Sequence, residues 1–327
     1  MPGSACRRWW RASGAAARRP GQGPSSDERA DALRAEPPPD PRRRRGPGLA
    51  FGTTVALTVA GPDQAAVEAA LGEGFAAMRA VEAAASLFRS DSALARLNRD
   101  GVLEAPDPHL LTLLRFALAL SVETGGAFDP TVQPLWPVWA QAAVRGERPG
   151  FDVLRAALAR IGWRRVQVGT DRIVLEPGTA LTLNALIQGY AADRVMAALR
   201  ARGVADAFVD TGEFGAAGAH PDGTPWRLGL ADPCHPGAVA DVIAPFTGFA
   251  ATSGDYNMSF SDDRADHHIF DPATGRSPGF LSSVTVTAPT GLVADGLSTA
   301  CMVLGRERGA ALVAAHPGCA VRFTGKD

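Results

Sequence analysis

From residue 53 onward the polar and apolar positions fall into runs of two different periods. Thr53 to Val59 alternates as a strand does, and Pro62 to Phe88 repeats its apolar and alanine positions at helical spacing, with acids spread along the polar face. A strand therefore feeds a long helix. A second helix is predicted from Pro108 to Glu123, stopping at Thr124-Gly125-Gly126, where paired glycines allow the left-handed turn that ends helices. The apolar and aromatic run Leu135 to Ala140 begins a loop that carries two of the six tryptophans.

Further along, Val153 to Ile161 has helical spacing, and Arg165 to Val168 with Arg172 to Glu176 reads as a hairpin around Gly169-Thr170-Asp171. A helix from about Ala185 to Arg202 leads into a strand at Ala207 to Val209. Strands follow near 226–231, 238–244, 248–252 and 282–288, then helices over 292–304 and 306–315, and a last strand at 319–324. Strands and helices mix without the strict alternation of a doubly wound sheet, so the pattern predicts an α+β fold. No internal repeat is visible.

Composition narrows the class. A chain of 327 residues with 46% hydrophobic content can bury one large core or two interleaved subdomains. Residues 1 to 47 carry eleven Arg against five acids, about +6, and the formal net charge of -1 then leaves about -7 for the remainder. That mildly acidic body argues against a nucleic-acid partner. The basic segment, rich in Pro, Gly, Ala and Arg, has no hydrophobic periodicity, so residues 1–48 are expected to be a disordered tail ahead of a domain at 49–327. Its Arg pairs invite a twin-arginine export reading, yet the apolar stretch such signals need is missing. Cys6, Cys234, Cys301 and Cys319 show no metal-type spacing, which excludes a zinc module or a disulfide framework.

The candidate chemistry lies on four segments. Asp295, Ser298 and Thr299 stand at i, i+3 and i+4, on one face of a helix. A carboxylate with hydroxyl or carbonyl oxygens suits Mg²⁺; equally, an acid suits the dipole of a first helical turn, and small hydroxyl residues fill core gaps. His268 adjoins the tight turn Asp271-Pro272-Ala273-Thr274-Gly275, where an imidazole can serve as a general base or simply as a hydrogen-bonded surface residue, with His267 competing for the role. Phe128-Asp129-Pro130-Thr131 follows Gly125-Gly126-Ala127 as either a ligand-facing or a purely structural Asx turn. Val209-Asp210-Thr211-Gly212-Glu213 puts two acids at a strand end. There is no GxGxxG or GxxxxGK[ST], so dinucleotide-binding and Walker folds lose support.

Taken in order, these segments resemble the ApbE family of FAD:protein FMN transferases. The likeness runs from Phe51-Gly52-Thr53 through Ser86-Leu87-Phe88, Asp91 to Asn98, Thr124 to Pro134, Leu181 to Arg194, Val209 to Gly215, Ala251 to Tyr256, His268 to Gly275 and Ser283 to Thr299. Leu181 to Tyr190 and the Asp210-Thr211-Gly212-Glu213 loop look most like the NosX branch. The resemblance implies T-fold-like mixed sheets packed with helices, and transfer of FMN from FAD to a Ser or Thr of an acceptor protein with release of AMP. By matched position it implies that Asp295, Ser298, Thr299 and the Ala185 carbonyl hold Mg²⁺. It further implies that Phe51, Phe88, Ala127, Phe128, Asp129 and the Phe270 backbone contact FAD, that Thr182 and Gln188 lie near its adenosine half, and that His268 deprotonates the acceptor. Thr182, Gln188 and Glu213 depart from the residues many members carry there. The branch suggests a membrane-associated flavoprotein subunit, linked to nitrous oxide respiration, as acceptor, and a periplasmic location, although no signal peptide is recognisable. Two other readings of the same site are a hydrolase splitting FAD to FMN and AMP, and a flavin-binding module without catalysis.

Overall fold

The computed structural model describes residues 43–235 and 237–326. The tail and export expectations for residues 1–42 lie outside the described residues. The remainder of the expected tail is corrected: Arg43–Ala50 forms strand β1, antiparallel to β2 (Thr53–Ala60) with Ala50 opposite Thr53. Phe51 and Gly52 at the turn both have positive φ, 53° and 78°, the type I′ geometry that suits a two-residue hairpin. Apolar alternation is absent from the β1 sequence because its inward positions 46 and 48 are glycines, onto which helix α1 (Gln64–Ala85) packs. A Cβ at Gly46 would lie 3.2 Å from Leu71, and one at Gly48 would lie 2.7 Å from the Phe75 ring, so the glycines admit these side chains. Pro47 is tolerated because the strand is an edge.

Helix α1 (Gln64–Ala85) starts where the Asp63 carboxylate accepts from the Ala66 N–H, and it buries Val67, Ala70, Gly74, Met78, Val81 and Ala85 on one face. Helix α2 (Ala93–Asp100), capped by Ser92 and closed by Gly101, leads to the short strand β3 (Val102–Glu104); neither was anticipated from the pattern. Helix α3 (Pro108–Glu123) is as expected. The run at Leu135, expected to begin a loop, is instead helix α4 (Leu135–Val144), burying Leu135, Trp139 and Ala142. Pro137 falls in its first turn, where backbone N–H groups have no intrahelical acceptor to lose. Helix α5 (Phe151–Leu158) follows, and then β4 (Val166–Val168) and β5 (Arg172–Leu175), which form a three-stranded sheet with β3.

The central sheet has seven antiparallel strands in the order β1-β2-β6-β7-β10-β11-β12. Its other members are β6 (Ala207–Asp210), the unanticipated β7 (Phe214–Ala217), β10 (Gly248–Gly254), β11 (Leu281–Ala288) and β12 (Ala320–Gly325). Strands β8 (Leu228–Ala231) and β9 (Val239–Ile243) make a separate hairpin. Helix α6 (Ile187–Ala201) packs between α1 and helix α7 (Gly291–Ala314), and α7 lies on β10 and β11. Gly305, at φ 77° and ψ 179°, breaks α7 into the two helices the sequence indicates. The α+β expectation holds.

Candidate functional site

The N-terminus of α7 is held by α6. Asp193 accepts from the Gly291 N–H at 2.6 Å and the Leu292 N–H at 2.9 Å, satisfying two donors that the helix cannot. Burial pushes its carboxyl up to about 6 against the pull of those bonds. The helices touch through glycine: a Cβ at Gly189 would stand 2.1 Å from the Gly291 carbonyl oxygen. That approach lets the Gly189 N–H donate to Asp295 Oδ2 at 2.9 Å. In a regular helix this N–H would serve the carbonyl of Ala185, four residues back. Among the described residues no donor reaches that carbonyl, so a carboxylate and an unengaged carbonyl oxygen face one helix junction.

Asp295 is only 4% exposed, and burial raises its carboxyl above the usual range; the Gly189 N–H opposes the rise and Asp193 adds to it. Thr299 is half-buried and shares the Ser253 hydroxyl at 2.9 Å, while Ser298 is fully buried between the Asp295 carbonyl, 2.9 Å away, and Ser253, 2.8 Å away. Ser253, at the end of β10, carried no assigned role in the sequence. Glu213 is a further acid here. Its Oε2 accepts from the Thr252 N–H at 2.9 Å, and its carboxyl is pushed well up by burial and by the negative charge of Asp295. Among the described residues no three His, Cys, Asp or Glu side chains make a metal-binding group. One carboxylate with hydroxyl and carbonyl oxygens is the donor set of a hard divalent cation completed by phosphate and water, and the residues present fit Mg²⁺ in that sense.

The two histidines separate cleanly. His267 has no exposed surface; its Nε2 bonds the Pro278 carbonyl at 3.1 Å, its Nδ1 receives the Ile269 N–H at 3.4 Å, and burial depresses its pKa to about 4. It is a structural residue. His268 is half-buried, with Nδ1 3.0 Å from the Met258 carbonyl, which also accepts the His268 N–H at 3.1 Å. A carbonyl can only accept, so Nδ1 carries the proton and Nε2 keeps its lone pair, with no hydrogen bond among the described residues. Burial lowers the His268 pKa, the Met258 carbonyl and the Asp255 charge working the other way, and the net direction favours the neutral imidazole. Asp255, two residues beyond Ser253, links this half of the site to the α7 half. Tyr256 lies in the fields of both Glu213 and Asp255.

The residues implied for flavin contact fall into two sets. Phe51 is buried in the β1–β2 turn, its N–H donating to Glu82 Oε1 at 2.8 Å, whereas the Phe88 side chain is 52% exposed. Ala127 and Phe128 follow the helix α3 end, with the Phe128 N–H on Thr124 Oγ1 at 3.1 Å. Asp129 has both oxygens engaged, Oδ1 by the Thr131 N–H and hydroxyl at 2.8 and 2.6 Å and Oδ2 by the Trp163 N–H at 2.8 Å. Of the two readings of that turn, the structural one describes its side chain. Thr182 is tied to the same turn through its N–H to the Pro130 carbonyl, 2.8 Å away, and Asn98 clamps Leu181 from both sides at 2.7 and 2.8 Å. The Gln188 side chain lies over Gly212, where a Cβ would come within 2.0 Å of it, and the Gln188 backbone carbonyl accepts from Thr211 Oγ1 at 2.8 Å. Phe270 turns its ring into a stack with Trp139 and Phe260 and is itself buried.

Known proteins resemble this chain in sequence and in overall fold. A protein of Treponema pallidum called FAD:protein FMN transferase is 34% identical over 299 residues, covering 84% of this chain and 82% of its own. One of the same description from Vibrio cholerae is 33% identical, covering 71% and 72%. Among solved structures, the flavin transferase ApbE of Vibrio cholerae superposes with a TM-score of 0.75 at 29% identity, over 86% of this chain and 93% of that one. The apo flavinyl transferase ApbE of Pseudomonas stutzeri does so with a TM-score of 0.73 at 33% identity, over 87% and 92%. Residues 51–323 match the ApbE family, and this chain belongs to it.

Proposed function

We propose that this chain is a transferase that moves FMN from FAD to a Ser or Thr hydroxyl of an acceptor protein and releases AMP. The observation that carries the reading is His268, an imidazole whose tautomer is set by the Met258 carbonyl and whose Nε2 meets no hydrogen-bond partner among the described residues. In the forward step Nε2 takes the proton of the acceptor hydroxyl as its oxygen attacks the FMN phosphorus. The bond from that phosphorus to the bridging oxygen breaks, and AMP leaves with that oxygen. Such a reaction asks for positioning and charge neutralisation more than for a strong nucleophile.

Of the four groups expected to hold Mg²⁺, Asp295, Thr299 and the Ala185 carbonyl would do so, whereas the Ser298 hydroxyl is taken up by the Asp295 carbonyl and Ser253 and would brace them from behind. When bound, Mg²⁺ would offset negative charge on the pyrophosphate. Asp193 fixes the helix start that carries Asp295, and Asp129 fixes the turn that presents Ala127 and Phe128. The branch likeness supports a membrane-associated flavoprotein subunit as acceptor. Incubation with FAD, Mg²⁺ and such a subunit, followed by gel fluorescence and peptide mass, is expected to show covalent flavin on the acceptor and free AMP. No covalent flavin while FAD is demonstrably bound would overturn the proposal, and free FMN formed at a rate the acceptor does not change would replace it with hydrolysis.

A further inference from the structure

The chain contains one lysine, Lys326. Its ammonium lies 3.1 Å from Oδ2 of Asp255 and donates to the Arg264 carbonyl at 2.8 Å. Asp255 is 1% exposed, and its other oxygen accepts from Ser282 Oγ at 3.1 Å. Arg264 is one of three non-glycine residues with positive φ among the described residues, at 57°. A residue held in that region persists only where its surroundings determine it; here its guanidinium donates to the Pro233 carbonyl at 2.6 Å and its own carbonyl takes Lys326. Between Asp255 and His267 the chain makes a closed loop in which the Phe260 N–H reaches the Asp266 carbonyl at 2.7 Å and the Met258 carbonyl receives His268. Lys326, following the edge strand β12, thus ties the entry of this loop to its far side.

We propose that Lys326 is a positioning residue of the transfer site, an ionic latch that closes the 256–266 loop so that the Met258 carbonyl holds His268 ready to accept a proton. The inference rests on the role given to His268 above. A misplacement of about 1 Å at a reacting group costs roughly a hundredfold in rate, so the latch need shift the loop only slightly to matter. The titratable and charged groups around His268 are Asp255 after β10, His267 beside it, Tyr256 and Arg264 in the loop, and Lys326 after β12. Asp255 acts on His268 to favour its charged form, and Lys326 neutralises Asp255.

The test uses the full chain with ring-¹⁵N histidine, followed by NMR across pH, the His268 signal being assigned from its loss in His268→Asn. Lys326→Met is expected to move the His268 titration to higher pH, because Asp255 is left unopposed; Asp255→Asn is expected to move it to lower pH, and Lys326→Arg to keep the wild-type midpoint. With FAD, Mg²⁺ and the flavoprotein acceptor, Lys326→Met should lower kcat about tenfold with KM for FAD unchanged, and Lys326→Arg should restore it. A purely structural role would lower activity equally at every pH without opposite shifts in the two variants. The latch is overturned if Lys326→Met leaves the His268 midpoint and kcat as in wild type, if it shifts the midpoint in the same direction as Asp255→Asn, or if Lys326→Arg fails to rescue. If instead His268→Ala retains full transfer, it is the functional assignment of His268 that fails, while the NMR shifts still report the latch.

Discussion

Gly189→Ala probes the helix junction on which the cation half of the site depends. The added Cβ would stand 2.1 Å from the Gly291 carbonyl oxygen and 2.6 Å from Asp295 Cβ. An ordinary contact is ~3.5 Å, so α6 and α7 must separate by about 1.4 Å at this point. Neither neighbour is the end of a flexible side chain: one is backbone and the other is the stem of Asp295. The movement stretches the Gly189 N–H bond to Asp295 and disturbs the two Asp193 bonds that start α7. Overpacking of this kind costs about 1–3 kcal/mol of stability, and a displaced catalytic group costs roughly a hundredfold in rate. Thermal unfolding and FMN transfer would be measured beside Gly72→Ala, at a helical site where a Cβ meets nothing within 4 Å. That control should gain about 0.5–1 kcal/mol, the usual helix preference of Ala over Gly. A Gly189→Ala protein with wild-type unfolding and transfer would refute the reasoning.

Three further outcomes are expected. His268→Ala should lower transfer by about 10² to 10⁴ while FAD binding, followed by flavin fluorescence, is retained; equal loss of both would remove the base assignment. His267, held neutral with a folded pKa of about 4 against ~6.5 unfolded, contributes stability that is fully present above the unfolded value and lost as pH falls toward the folded one, up to about 3 kcal/mol. Denaturant titrations of the wild type and His267→Asn should show that acid-dependent loss shrinking in the variant; identical pH slopes would contradict it. Asp295, whose carboxyl is raised by burial, should bind Mg²⁺ more weakly in mildly acidic than in mildly alkaline buffer, because proton and cation compete for one carboxylate. Calorimetric titration gives the comparison, and an affinity independent of pH would exclude Asp295 as the ligand.

Long periodic segments were readable because their signals are local. Helices α1, α3, α6 and α7 and strands β2, β10 and β11 follow from spacing and caps alone. The errors at β1, α4 and β7 share a cause, since each concerns an element whose stability comes from a distant partner. Strand β1 looks like a Gly, Pro and Arg tail until β2 pairs with it and Phe75 fills the place of a side chain at Gly48. Helix α4 hides behind Pro137 because its hold on the protein is Trp139, whose indole donates to the Gly275 carbonyl 2.8 Å away and 136 positions along the chain. The short strand β7 has no pattern of its own and exists by pairing with β6 and β10.

The site divides in the same way. Sequence alone determined that Asp295 and Thr299 lie one helical turn apart, that His268 precedes a tight turn, and which family these segments resemble, since residue spacing and order are properties of the chain itself. Tertiary structure decided which candidates are chemically available. It consumed both oxygens of Asp129, sealed His267, engaged the Ser298 hydroxyl, and, among the described residues, left Nε2 of His268 and the Ala185 carbonyl without a hydrogen-bond partner. It also gathered Glu213, Ser253, Asp255 and Lys326 around them. A side chain's reactivity depends on its solvation and on which donors and acceptors meet it, and those neighbours come from strands and helices up to about a hundred residues away, as the Gly189 and Asp295 bond illustrates.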